Sequence, residues 1–149
     1  VTEVLGFKLI DAEGSFHLFE VGEGGNGASI IVEHREDLPA AQEGYGNVHH
    51  LALRVADEEA LRFWIEKINR LEFPNSGFVE RFYFKSEYFL AATHVLFELA
   101  TDGPGFLEDE TYEHAGEKLS LPPFLEPKRA GIEEFVRPFD TSDANVQRN

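Results

Sequence analysis

The apolar period of the chain changes at Asp57. Before it, Val48–Ala56 alternates: Val48, His50, Ala52 and Arg54 share one side, and His49, Leu51, Leu53 and Val55 the other. After it, Leu61, Trp64, Ile65, Ile68 and Leu71 recur at helical spacing. A strand that feeds directly into a helix restricts the chain to folds that mix the two. Asp57 stands where an N-cap belongs. Glu58 and Glu59 fill the first turn and Lys67 and Arg70 the last, signs that suit the helix dipole. Pro74-Asn75-Ser76-Gly77 then breaks the chain. Three further strands are predicted over Phe78–Tyr83, Glu87–Leu90 and His94–Ala100. The unit therefore reads β-α-β-β-β.

The preceding residues show the end of the same unit. Val1–Leu5 reads as a last helical turn closed by Gly6. Strands are predicted over Phe7–Asp11, Phe16–Val21 and Ala28–His34, with a turn at Glu13-Gly14. The glycines of Gly22–Gly27 read as a flexible hairpin loop, since no helix follows to make a phosphate cradle. Glu36–Asn47 reads as a linker. The expected division is a partial first module and linker (1–46), a second module (47–102) and a tail (103–149). That tail is predicted to pack through Phe106, Leu121, Phe124 and Phe135, with Thr141–Asn149 disordered. The expected fold class is α+β. Paired βαβββ modules, the first truncated, would form an incomplete barrel of curved mixed sheets.

Charge and composition narrow the partners. The 149 residues carry a net charge of −15, which repels nucleic acid and anionic membranes. There is no cysteine, so disulfides, thiolate metal sites and cysteine nucleophiles are excluded. No apolar run approaches the roughly 20 residues of a membrane span. A cytoplasmic location is the expectation. The chain opens at Val1 without a Met, so its natural start is expected to lie elsewhere.

Two residues carry the chemistry. Glu98 sits in the apolar run Val95–Ala100, and burying a carboxylate there is expensive unless a cation pairs with it. A bound metal would meet that demand, with His50 as a second ligand. Two imidazoles and one carboxylate on Fe(II) leave positions open for substrate and oxygen. The competing reading is an edge-strand Glu98 that faces water. The other histidines, His49 among them, read as structural.

The run Gly46-Asn47-Val48-His49-His50-Leu51-Ala52-Leu53-Arg54-Val55-Ala56-Asp57 resembles the metal-bearing first strand of the vicinal oxygen chelate superfamily. Phe84-Lys85-Ser86-Glu87-Tyr88-Phe89, with Leu96-Phe97-Glu98-Leu99-Ala100-Thr101-Asp102-Gly103-Pro104-Gly105-Phe106, is more specific. It resembles the C-terminal half of ring-cleaving dioxygenases that act on hydroquinone-type rings. Gly116-Glu117-Lys118-Leu119 and Leu121-Pro122-Pro123-Phe124-Leu125-Glu126 match their tail.

The resemblance implies His50 and Glu98 as metal ligands. It puts Tyr88 beside a ring hydroxyl or oxygen, with a strand aromatic in the core as the alternative. It places Lys85 and Tyr83 near the pocket. It implies an Fe(2+)-dependent extradiol-type dioxygenase whose partners are a small aromatic substrate and O2. A third His would come from an N-terminal half or a second chain, and a homodimer is one possible form. The alternatives are a glyoxalase-like lyase or isomerase using Mn, Zn or Ni, and a metal-free small-molecule binding module. Two departures stand out. Ala91-Ala92-Thr93-His94 replaces a Glu-Pro-Gly-Gly-like turn, and no early His supplies the third ligand.

Overall fold

A computed structural model describes residues 1–39, 42, 44–92 and 95–138. It is an α+β fold of two open sheets. Neither closes into a barrel.

The first sheet is antiparallel, in the order β1 (Lys8–Glu13), β2 (Phe16–Glu20), β3 (Ser29–Glu33). It follows a helical turn, α1 (Thr2–Leu5), which Gly6 closes at φ 76°. That conformation suits a residue without Cβ. The glycine loop between β2 and β3 is tied by Ser29, whose hydroxyl donates to Glu20 Oε1 at 2.9 Å and accepts from Gly25 N.

The second sheet is mixed, in the order β4–β7–β6–β5. Its strands are β4 (Leu51–Arg54), β5 (Val79–Glu80), β6 (Lys85–Ala92) and β7 (Val95–Ala100). β4 runs parallel to β7, so a crossover must join β4 to the rest. Helix α2 (Glu58–Arg70) makes it. Asp57 accepts from Ala60 N at 2.8 Å, and that bond sets the helix start. Leu61 and Ile68, both 0% exposed, face Val55, Phe89, Phe97 and Leu99 in the one described core. Val4, Leu5 and Phe7 complete that core, and Lys67 Nζ donates to the carbonyl of Val4.

Two predicted strands are shorter than the sequence suggested. Val48–Ala56 pairs only from Leu51 to Arg54, because β4 is an edge strand with β7 as its single neighbour. Phe78–Tyr83 shrinks to Val79–Glu80, because Phe82 turns to φ 71°. The tail carries a 3₁₀ turn (Glu126–Lys128) and α3 (Arg129–Phe135). Arg129 clamps it, donating to both Glu126 oxygens, to Glu133 and to the carbonyl of Leu119. Of the predicted anchors only Leu121 is buried. Phe106 is exposed but stacks on Tyr83, and Phe124 and Phe135 face solvent, the latter 93% exposed. The expectation of disorder over Thr141–Asn149, and part of the linker, lie outside the described residues. No described helix is long and apolar enough to cross a membrane.

Candidate metal centre

The centre lies on the face of the second sheet opposite α2. Cross-strand pairing aligns Ala52, Glu98 and Tyr88 in one row over three strands. Residues paired in this way point to the same side. His50 stands one residue before β4 and reaches the row. Its Nε2 lies 2.8 Å from Glu98 Oε2. Glu98 is 4% exposed, so its carboxylate faces away from bulk water. The edge-strand alternative therefore fails.

Around this pair the contacts are aromatic and cationic. The Tyr88 ring meets His50 edge-to-face, with centroids 5.7 Å apart. The Arg81 guanidinium lies 5.1 Å over the Tyr88 ring. A turn in which Arg81 N donates to the Phe84 carbonyl, with Phe82 at positive φ, folds Arg81 back to that place. His49 Nδ1 lies 2.8 Å from His50 Nδ1. Strict alternation placed His49 on the far side. It does not hold, because residues 47–50 precede the paired strand and are free of its pleat.

The donor set fits a divalent metal. It offers an imidazole nitrogen and a carboxylate, the chemistry that suits Fe, Mn, Zn or Ni. Glu98 Oε1 is buried without a hydrogen-bond partner. An orphaned carboxylate oxygen beside an imidazole is what a cation would satisfy. Among the described residues no group of three such side chains forms a complete site. Among the described residues, His50 and Glu98 are the two candidate donors brought together.

Two expected pocket residues are placed elsewhere. Lys85 alternates to the α2 side of β6, where its Nζ donates to Glu58 Oε2 at 2.5 Å. Hydrogen bonding to Glu58, then its charge, raises the Lys85 pKa. The Tyr83 hydroxyl donates to Asp109 Oδ2 at 2.8 Å. Burial, reinforced by Asp109, pushes its phenol up to about 12. Neither side chain is held by the His50–Glu98 pair. Arg81 and His49 are the residues that sequence reasoning passed over. Strand periodicity carries no signal for either, since both lie outside paired strands.

The fold defines the class: it is the vicinal oxygen chelate fold of the glyoxalase, bleomycin-resistance and dioxygenase proteins. A solved glyoxalase/bleomycin resistance protein/dioxygenase domain from Frankia sp. EAN1pec superposes with a TM-score of 0.57 at 18% identity, covering 67% of this chain and 81% of that one. The chain's homologues are named ring-cleaving dioxygenases. It is 46% identical over 143 residues to MhqA of Bacillus subtilis (strain 168), so named, over 93% of this chain and 45% of that protein. It is 35% identical over 119 residues to a chlorohydroquinone/hydroquinone 1,2-dioxygenase of Sphingobium indicum, over 76% of this chain and 36% of that one. A solved structure titled as a dioxygenase from Bacillus subtilis matches with a TM-score of 0.76 at 36% identity, over 92% of this chain and 44% of that one. The chain thus spans less than half the length of these dioxygenase relatives. No protein-family model matches it.

Proposed function

We propose that this chain supplies His50 and Glu98 to the metal centre of a ring-cleaving dioxygenase acting on a hydroquinone or catechol. The observation that carries the reading is the His50–Glu98 contact at 2.8 Å with Glu98 Oε1 left buried and bare. Ferrous iron, when bound, would supply open coordination positions and the electron traffic between ring and O2 that extradiol-type cleavage needs. A third His would come from an N-terminal half or a second copy. Mn, Zn or Ni are alternative metals. The division at 46 and 102, and a cytoplasmic setting, belong to the same reading.

The chain's own residues have definite tasks. In the metal-free pair, Nε2–H of His50 donates to Glu98, and Nδ1 is left to accept from His49. A metal on Nε2 requires that proton on Nδ1 instead, and His49 Nδ1 is placed to accept it. Such an outer hydrogen bond fixes the tautomer and orientation of a ligand imidazole. Tyr88, on the same row as Glu98, can donate its hydroxyl to a ring oxygen. Arg81, stacked on Tyr88, places a positive charge beside the pair.

Metal analysis of anaerobically purified protein, with O2 uptake on added hydroquinone, tests this. A longer form that includes the remaining half is measured beside the chain, and each beside His50→Ala. Iron and uptake in the longer form, both lost in His50→Ala, are expected. Metal without O2 uptake would favour a lyase or isomerase. That only two candidate ligands lie together among the described residues favours a second reading, a metal-free binding module, and no metal in either form would support it.

A further inference from the structure

Glu87 is the group that this chemistry leaves unused. It alternates to the α2 side of β6, between Tyr88 and Ser86, and is 0% exposed. Both of its carboxyl oxygens are buried without a hydrogen-bond partner. Its cross-strand neighbour is Leu99, and Phe89 follows it on the same face. Both belong to the core that Leu61 and Ile68 of α2 close. A native fold rarely leaves a carboxyl in such a layer with nothing to hold it.

We propose that Glu87 is a proton-operated latch between α2 and the second sheet. Protonated, it is a neutral group that the apolar layer tolerates. Ionised, it is a bare charge in that layer, and the packing of α2 on β6 and β7 loosens. The proposal stands whether or not the dioxygenase reading holds, although β6 and β7 carry Tyr88 and Glu98 on their other face.

Among the described residues no neighbouring charge relieves the ionised form. Lys85 shares the face of β6 but is committed to Glu58, which Arg62 also binds. Glu80, paired with Lys85 on β5, carries the wrong sign. Lys67 of α2 is held by the Val4 carbonyl and the Trp64 ring. On this face β7 contributes Phe97 and Leu99, and β4 contributes Leu53. Burial accordingly pushes the Glu87 carboxyl up to about 7 from 4.5. The folded state then holds the proton more tightly than the unfolded one. Stability is full below the unfolded value. It falls as pH rises between the two values and stays low above about 7. Between about pH 5 and about pH 8 this one group would weaken the folding equilibrium by on the order of a hundredfold.

Urea unfolding of the full chain with chelator present, at about pH 5 and about pH 8, tests this in the parent and in Glu87→Gln. The six histidines also titrate in this window, so the difference between the two proteins is the readout. The parent is expected to lose on the order of a hundredfold more than the variant. Equal losses overturn the proposal. If Glu87→Gln does not fold, Glu87→Leu replaces it, and the parent carries a test of its own. An infrared carbonyl band of a protonated carboxyl should persist at about pH 6, where ordinary carboxyls are ionised. Its absence there also overturns the proposal.

Discussion

His50→Ala in the metal-free protein isolates the tension built into the centre. Glu98 is 4% exposed, Oε1 has no partner and Oε2 has the His50 imidazole at 2.8 Å. Truncating His50 leaves a buried carboxylate with neither oxygen held by a side chain. A buried acceptor stripped in this way costs about 1–3 kcal/mol, and more when charged. The His50 side chain is itself 32% exposed, so water can enter part of the gap and trims the upper end. We expect a loss of about 2 kcal/mol, or roughly 4–8 °C in Tm for a domain of this size. Adding Glu98→Leu to that variant removes the bare charge, and the double variant should regain about 1 kcal/mol or more. Glu98→Leu alone should be close to neutral, while metal binding is lost. The assay is urea unfolding of all four proteins with chelator present, read as a double-mutant cycle. Additive effects within about 0.5 kcal/mol would refute the argument, since coupled neighbours should exceed that.

Two further outcomes follow from other parts of the molecule. Leu61→Ala, at a side chain with 0% exposure, should cost about 2–5 kcal/mol in urea unfolding, whereas Phe63→Ala, 58% exposed two positions further along α2, should cost far less. Ultraviolet titration of the four tyrosines should show a late step near pH 12, and Tyr83→Phe should remove it.

The sequence exposed most of the scaffold because its signals were periodic or punctuated. The switch at Asp57 marks the cap of α2, and the cap is found there, while β4 ends three residues earlier at Arg54. Strand ends were less legible. Whether residues 47–50 pair depends on a neighbour across the sheet, and β4 has only β7. That dependence hid the role of His49, since leaving the pleat lets a residue of the wrong parity reach His50. Arg81 was hidden for a similar reason: a turn, not a strand, returns it over Tyr88. Lys85 shows the reverse. Its position beside the Tyr88 run suggested the pocket, but alternation within a true strand puts it on the other side. Of the four tail anchors Leu121 is buried and the three phenylalanines are exposed, because aromatic content alone does not say which side chain reaches the core.

The altered turn before β7 tests what fixes Glu98. Thr93 and His94 lie outside the described residues, but the ladder on either side is complete from Ser86↔Ala100 to Leu90↔Leu96. A slip of one residue would exchange the two faces of β7. Glu98 would then enter the layer under α2, and Leu99, 2% exposed, would leave it for the centre. Phe89 and Phe97, 1% and 4% exposed with ring centroids 5.7 Å apart, would lose their pairing at the same time. Moving a carboxylate into the apolar layer and displacing core side chains from it together outweigh local turn preferences, which are worth about 1 kcal/mol. The irregularity in the described ladder, between Leu90 and Ala92, lies away from the Tyr88–Glu98 row. The apolar face of β7 therefore sets the register of Glu98.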